Sequence, residues 1–259
     1  MIINGKEIAA KVLAELKSRP RPLKSLVAVL VGDDAASLSF LKQKEKIAKE
    51  LEVPFTLERI AEETNEEDLK ERIEEICSDK GVGGVIVQLP LPEKFNRSEV
   101  LSAIAPEKDV DGLVGAALPP AALTVKEILN NLSFDLEGKT VGVVGKGFLV
   151  GAPIAKWLAG KCGEVIVFDS KSDLSGLKKA DLVITGTGRA GLIKPEMLKV
   201  GAGVIDFGFG MVDGKIRGDL DTFNFELLTL NLSFYTPTPG GTGPILVAEL
   251  FRNFYDLNK

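Results

Sequence analysis

Three glycines at the end of an apolar run could bring the backbone close to a phosphate group. Residues 140–153 read TVGVVGKGFLVGAP, in which β-branched residues predict a buried strand and Gly145, Gly147 and Gly151 predict a tight turn into a helix. The start of such a helix presents unpaired N–H groups and the positive end of its dipole, which suit a pyrophosphate. A glycine-rich turn can also close an ordinary βα unit, so this spacing needs support from its context.

That support comes from Asp169, which ends a second apolar run at residues 164–168. It follows Gly147 by about twenty residues, the distance at which an acid typically binds the adenosine ribose hydroxyls of a dinucleotide. The pattern predicts that the chain binds NAD or NADP. A carboxylate at this place favours NAD, whereas Lys146 and Lys171 would attract the additional phosphate of NADP.

Two polar side chains could serve proton chemistry at the edge of a sheet. Lys44 lies four residues after Phe40 in a helical pattern, so the two side chains share a helix face. Gln88 follows the apolar run GGVIV, at the carboxyl end of a predicted parallel strand, where open α/β sheets bind ligands. The alternatives are a core phenylalanine beside a solvated lysine, and a loop amide with satisfied hydrogen bonds.

Asp109 and Asp111 flank Val110 in the segment KDVDG. In an extended segment, alternation sends their side chains to opposite sides. The alternative is a turn in which both carboxylates are solvated.

Composition narrows the classes of function. The chain has 259 residues, is 45% hydrophobic and 27% charged, and carries a formal net charge of −5 without a long basic run. This favours a small-molecule partner over nucleic acid or an anionic membrane. There is no histidine, and Cys77 and Cys162 lack metal-ligand spacing, so we expect neither a His/Cys zinc site nor a Ser-His-Asp triad. No segment reaches transmembrane length, and we expect a cytoplasmic protein.

The elements that must position these residues alternate between strands and helices, which predicts an α/β fold. Apolar runs at residues 26–31, 53–57 and 82–87 are separated by helical patterns at 35–51 and 65–77, which together predict a parallel βαβαβ block. A small, proline-rich stretch at residues 115–122 is the predicted linker. A second βα block follows, and an amphipathic helix at residues 245–257 ends the chain.

Several blocks, in this order, resemble the methylenetetrahydrofolate dehydrogenase/cyclohydrolase family. They span nearly the whole chain and comprise VGDDAAS and FLKQK within residues 31–44, VQLPLP at 87–92, PEKDVDG at 106–112, GKGFLVGAP at 145–153, VIDFG at 204–208 and TPTPGGTGP at 236–244.

The resemblance implies a two-lobed protein with folate in the cleft between the lobes. Residues 1–118 would form a parallel-sheet catalytic domain, with the C-terminal helix at 244–259 returning to it, and residues 119–243 a Rossmann-like dinucleotide-binding domain. It also implies a homodimer. The implied activity is oxidation of 5,10-methylenetetrahydrofolate to the methenyl form with a nicotinamide cofactor, followed by hydrolysis to 10-formyltetrahydrofolate, which we expect to be weakened by the loss of the family's tyrosine at Phe40. The alternative is a folate- or nucleotide-binding protein of this fold that has lost catalysis.

The resemblance also assigns roles to individual residues. The lysine of the family's Tyr-x-x-x-Lys pair corresponds to Lys44, the glutamine of QLPLP to Gln88, and the second aspartate of DVDG, which grips the pterin, to Asp111. The remaining assignments are Phe40, Pro239, Gly240 and Gly241 for the substrate, and Gly145, Lys146, Gly147, Gly151, Asp169 and Phe209 for the cofactor.

The chain departs from the family pattern at several of these places. Phe40 replaces the tyrosine, which keeps a ring for stacking but removes a hydroxyl. Lys146 and Gly147 replace an Arg/Ser pair in the phosphate turn, and Asp169 replaces a histidine. The segment after Gly112 is much shorter than in the family and lacks an Asn-x-Gly-Arg-Leu stretch.

Overall fold

The chain divides into two compact units in the computed structural model, which describes residues 1–115, 117–223 and 232–259. One contains residues 11–120 and 247–259 and is called the Lys44 unit. The other contains residues 1–10 and 121–246 and is called the glycine-turn unit. Ala116, within the predicted linker, lies outside the described residues. The domain boundaries at residues 118/119 and 243/244 remain predictions.

The Lys44 unit is built on a parallel three-stranded sheet in the order β2-β1-β3. Strands β1 and β3 are buried along nearly their whole length, which explains why both lack charged residues and are rich in valine. The elements are β1 (Ser25–Val31), α2 (Ala35–Glu50), β2 (Phe55–Ile60), α3 (Glu66–Ser78), β3 (Val82–Val87) and α4 (Arg97–Ser102). The predicted βαβαβ block is confirmed.

Side-chain caps fix where two of these helices begin. The Asp34 carboxylate accepts the Ser37 N–H at 2.7 Å before α2, and the Asn65 side chain accepts the Asp68 N–H at 2.9 Å before α3. Each cap satisfies a backbone donor that the first turn leaves unpaired. The start of α2 sets the position of Lys44, three turns into the helix.

The C-terminal helix α7 (Thr242–Leu257) contributes its later turns to the Lys44 unit. Phe251 and Phe254 are fully buried there. The Asp256 carboxylate pairs with Arg19 at 2.7 Å, close to the end of α1 (Gly5–Ser18). The predicted return of this helix to the first part of the chain is confirmed.

The glycine-turn unit contains a parallel five-stranded sheet in the order β10-β7-β6-β4-β5. Strand β4 lies between β5 and β6, so the chain passes from β4 to one side of the sheet and then crosses to the other side, where β6 and β7 follow. Open α/β sheets bind ligands at such a switch point. The elements are α5 (Pro120–Leu132), β4 (Thr140–Val144), α6 (Gly151–Leu158), β5 (Glu164–Phe168), β6 (Leu182–Thr185), β7 (Ala202–Asp206), the antiparallel pair β8 (Gly210–Val212) and β9 (Lys215–Arg217), and β10 (Leu232–Tyr235).

Two differences from the sequence prediction have a clear physical reason. Helix α5 begins at Pro120 within the predicted linker, because proline is well suited to the first turn of a helix and does not have to mark a loop. Strand β2 runs from Phe55 to Ile60, beyond the apolar run, since an edge strand tolerates the charged residues Glu58 and Arg59.

Gly5 and Gly243 provide a matched test of packing at the start of a helix. The Gly5 N–H donates to the Gly240 oxygen at 3.1 Å, and a Cβ on Gly5 would overlap the Gly241 carbonyl. A Cβ on Gly243 would have no heavy atom of the described chain within 4 Å. We expect Gly5→Ala to lower the free energy of unfolding by about 1–3 kcal/mol and Gly243→Ala to leave it unchanged or raise it slightly. Urea unfolding measures both, and equal effects would contradict the packing shown at Gly5.

Candidate functional site

Lys44 and Gln88 are joined by a hydrogen bond in which the Lys44 ammonium donates to the Gln88 Oε1 at 3.1 Å. Gln88 is buried directly after β3, and its Nε2 donates to the Leu89 oxygen at 2.7 Å. With Nε2 engaged in this way, the acceptor oxygen faces the lysine, which has only donors to offer. Gln88 therefore orients Lys44 without adding a charge.

Asp111 sets the electrostatic environment of this lysine. Burial lowers the pKa of Lys44, and the nearby Asp111 carboxylate opposes that effect. Burial likewise raises the pKa of Asp111, while Lys44 lowers it. The net result for Lys44 is a pKa below that of a free lysine. Such an amine can exchange protons closer to neutral pH than a solvated one can.

Asp109 points away from solvent, contrary to the alternative of a turn with two solvated carboxylates. The residue is fully buried, and its Oδ2 accepts the Val114 N–H at 2.6 Å. A parallel bridge between Val85 and Asp109 places this residue beside β3, which accounts for its burial. Asp111, two residues later, is only partly buried by comparison. That the two side chains point to opposite sides of the segment remains a prediction.

Phe40 lies one turn before Lys44 on α2, as the four-residue spacing predicts. The residue is 37% exposed, so part of its surface faces solvent. An exposed ring next to a partly buried ammonium group can stack on a flat aromatic ligand. The structure thus brings Lys44, Gln88 and Asp111 together and places Phe40 on the same helix.

The glycine turn after β4 is held by close backbone packing. Gly145 has a φ of 99° and donates its N–H to the Phe168 oxygen at 2.8 Å. A Cβ on Gly151 would overlap the Gly145 oxygen, so the start of α6 can approach the turn only with glycine at this position. A Cβ on Gly147 would come no closer than 3.8 Å to its neighbours, so the fold itself does not require this glycine. Close approach of a ligand remains the predicted reason for it.

Lys146 and Asp169 form an ion pair at this turn, with Nζ and Oδ2 3.0 Å apart. The Lys146 hydrogen bond, followed by contributions from the Lys171 N–H and the Ser172 hydroxyl, lowers the pKa of Asp169 to about 2. Both side chains of the pair remain substantially exposed, so solvent screens it and a ligand can compete for either partner. The turn, the helix start and the acid fit the pyrophosphate and ribose of a dinucleotide.

The other predicted ligand residues also lie in the glycine-turn unit. Phe209 and Pro239 are exposed, Gly240 has a φ of 96°, and Gly241 is buried. The Gly240 oxygen accepts the Gly5 N–H, which fixes this loop within its own unit. Contact of these residues with substrate or cofactor remains a prediction.

The sequence analysis did not predict that Asp206 and Asp219, in the same unit, are both buried. The Asp206 carboxylate accepts N–H groups from Gly208 at 2.6 Å and Leu220 at 2.9 Å, and the Asp219 Oδ2 accepts the Thr185 hydroxyl at 2.6 Å. Burial, together with the neighbouring Asp219, raises the pKa of Asp206 to about 6. These acids tie together the ends of β6 and β7. The sequence signal for Asp206 was an acid at the end of an apolar strand, in VIDFG.

Two negative findings apply to the described ranges. None of their helices has both the length and the apolarity that crossing a lipid bilayer requires. No group of three or more histidine, cysteine, aspartate or glutamate side chains in those ranges is arranged to hold a metal ion.

Two family models match the chain. The model of the tetrahydrofolate dehydrogenase/cyclohydrolase catalytic domain matches residues 3–111, and the model of the corresponding NAD(P)-binding domain matches residues 119–259.

Individual relatives match over nearly their whole length. A protein of Hydrogenobaculum named bifunctional protein FolD is 37% identical, with 97% of this chain and 96% of the relative covered. The crystal structure of the bifunctional methylenetetrahydrofolate dehydrogenase/cyclohydrolase from Campylobacter jejuni has a TM-score of 0.94 at 33% identity, covering 100% of this chain and 98% of that one. The Trypanosoma brucei enzyme, solved with NADP and an inhibitor, has a TM-score of 0.91 at 28% identity, covering 99% and 96%.

The electrostatics around Lys44 can be tested without any ligand. We expect Asp111→Asn to lower the pKa of Lys44 further, because the opposing charge is lost while the burial stays. Competitive acetylation of the intact protein over a range of pH, with mass spectrometry of the Lys44 peptide, measures this pKa, and the exposed Lys42 of the same helix is the internal standard. Glu45→Gln is the control, since it removes a charge from α2 outside the site. A Lys44 titration unchanged by Asp111→Asn would show that the two groups are not coupled.

Proposed function

Because the chain belongs to the tetrahydrofolate dehydrogenase/cyclohydrolase family, we propose that Lys44, Gln88 and Asp111 form the site at which it processes folate. The reactions are oxidation of 5,10-methylenetetrahydrofolate to 5,10-methenyltetrahydrofolate and hydrolysis of that product to 10-formyltetrahydrofolate. The observation that carries the assignment is the Lys44–Gln88 hydrogen bond at a buried strand end. The family match supports this enzyme and not the alternative of a binding protein without catalysis.

Lys44 supplies the proton transfers of the hydrolytic step. Water adds to the methenyl carbon, and the neutral Lys44 amine accepts a proton from that water. The resulting ammonium group donates this proton to the ring nitrogen that leaves, and the hydroxyl proton of the adduct is released to solvent as the formyl group forms. Burial favours the neutral amine at the start of this cycle, and Asp111 stabilises the ammonium form within it. Gln88 keeps the amine in place through both transfers.

The oxidative step requires no proton transfer by Lys44, Gln88 or Asp111. A nicotinamide coenzyme, when bound, accepts the hydride from the methylene carbon. The protein would contribute binding and orientation: the glycine turn and the start of α6 would hold the pyrophosphate, and Asp169 and Lys146 would contact the adenosine ribose. No side-chain proton is required for hydride transfer.

Phe40 makes the two steps unequal. Its ring can stack on the aromatic part of the folate, but it has no hydroxyl to join the proton network around Lys44. Hydrolysis depends on that network, whereas oxidation depends on geometry, so oxidation is the faster activity of this chain.

The cofactor is a nicotinamide dinucleotide, and we propose that NAD is preferred to NADP. The Asp169 carboxylate is ionised at neutral pH and repels a 2′-phosphate, while its exposed pair with Lys146 can open to admit the ribose hydroxyls. Lys146 works in the opposite sense. Tetrahydrofolate derivatives are the proposed substrates, and the homodimer and the cytoplasmic location remain predictions.

Replacing Lys44 tests the hydrolytic assignment. We expect Lys44→Met to abolish hydrolysis of methenyltetrahydrofolate while cofactor binding stays nearly unchanged, because the methionine keeps the apolar stem and removes the proton carrier. The loss of methenyl absorbance measures hydrolysis, and fluorescence titration with reduced cofactor measures binding. Lys42→Met, on an exposed face of the same helix, is the matched control. Undiminished hydrolysis in Lys44→Met would remove the assignment.

The cofactor preference is tested by a pair of charge substitutions. We expect kcat/KM to favour NAD in the unmodified protein, Asp169→Asn to shift the ratio toward NADP by roughly tenfold, and Lys146→Met to shift it toward NAD. Reduced-cofactor absorbance with methylenetetrahydrofolate provides the rates. A preference for NADP in the unmodified protein would show that Lys146 dominates Asp169.

A further inference from the structure

The turn that carries Asp111 is held at both ends by one side chain from the far end of the chain. The Asn253 Nδ2 donates to the Val110 oxygen and to the Leu118 oxygen, in each case at 2.9 Å. Asn253 lies on α7 and is 5% exposed. All of these groups belong to the Lys44 unit. A single buried amide thus closes the segment from residue 110 to residue 118.

Inside this segment, Asp109 ties the backbone together. Its carboxylate accepts the Val114 N–H at 2.6 Å. Burial raises the pKa of Asp109, and the backbone N–H groups of Val114, Leu113, Asp111 and Gly112 oppose that rise. The Asp109 carboxylate therefore ties Val114 back to the residue directly before Val110.

The two bonds of Asn253 indicate what this residue does, and the inference rests on the proposed function of the Lys44 site. We propose that Asn253 is a positioning residue, which holds the 110–118 turn so that Asp111 stays beside Lys44. Its two bonds fix Val110, directly before Asp111, and Leu118, where the turn ends. Because Val110 directly precedes Asp111, a displacement of the Val110 backbone is passed to Asp111 without an intervening residue.

The pKa of Lys44 reports whether Asp111 stays in place. Within the described chain, Asp111 is the charge that raises the pKa of Lys44, and Asp111 itself responds to Lys44 and Asp109. If the turn relaxes, the Asp111 carboxylate moves away while Lys44 stays buried on α2. The Lys44 titration then shifts to lower pH. A purely structural asparagine would change stability without changing this titration.

Asn258 provides a matched control on the same segment of chain. Its Nδ2 donates to the Gly83 oxygen at 2.8 Å and to the Phe254 oxygen at 2.7 Å. It is thus a second amide with two backbone carbonyl partners in the Lys44 unit, but it holds the start of β3 and not the Asp111 turn. Both asparagines can be replaced by leucine, which has a similar volume and no donor.

The experiment compares Asn253→Leu with Asn258→Leu in the full-length protein. Urea unfolding gives the loss of stability, competitive acetylation gives the Lys44 titration, and methenyltetrahydrofolate hydrolysis gives kcat/KM. We expect both variants to lose stability, and only Asn253→Leu to shift the Lys44 titration to lower pH and to reduce kcat/KM on the order of tenfold. Asn253→Ser, which leaves room for water, replaces Asn253→Leu if the latter does not fold, with the same expected direction.

The acetylation measurement separates this inference from the proposed function. If the unmodified protein does not hydrolyse methenyltetrahydrofolate but the Lys44 titration still shifts in Asn253→Leu alone, Asn253 positions Asp111 and the hydrolase assignment fails. If hydrolysis is present and Asn253→Leu leaves both the titration and kcat/KM as they are in Asn258→Leu, the positioning role is wrong.

Discussion

The proposed chemistry depends on keeping one amine out of water while leaving it able to gain and lose a proton. Burial alone would favour the neutral form of Lys44, and a carboxylate in close contact would fix the charged form. The site combines burial with a nearby Asp111 and a neutral partner, Gln88. The amide directs the amine without stabilising its charge as strongly as a second carboxylate would. Both protonation states of Lys44 therefore remain accessible, which general acid–base catalysis requires.

The glycine turn after β4 has a different task, because its backbone must come close to a charged ligand. Gly145 and Gly151 are needed for the chain to pack against itself, whereas Gly147 leaves space that the fold does not fill. Lys146 and Asp169 then place opposite charges at the edge of that space. In the proposed function, the packed backbone would hold the pyrophosphate, and the exposed, competing charges of Lys146 and Asp169 would decide between NAD and NADP.

How much could be predicted from the sequence depended on the range of the interactions. The parallel sheets follow from buried valine- and isoleucine-rich runs, and the packing of Gly145 against Gly151 involves neighbours along the chain. The resemblance supplied Lys44, Gln88 and Asp111 as candidates. The burial of Asp109, the acid pair of Asp206 and Asp219, and the two bonds of Asn253 could not be foreseen, because they join distant segments. Asn253 and Val110, for example, are separated by 143 residues.

Lys44 is the proposed proton carrier of hydrolysis, and the pH dependence of that reaction tests this role most directly. The measurement is kcat/KM for hydrolysis of methenyltetrahydrofolate against pH, corrected for the uncatalysed reaction, beside the Lys44 titration in the same buffers. Because the neutral amine starts the cycle, the rate should rise with pH through the midpoint of the Lys44 titration. In Asp111→Asn both midpoints should move together to lower pH. A hydrolysis rate whose midpoint stays in place while that of Lys44 moves would contradict the account.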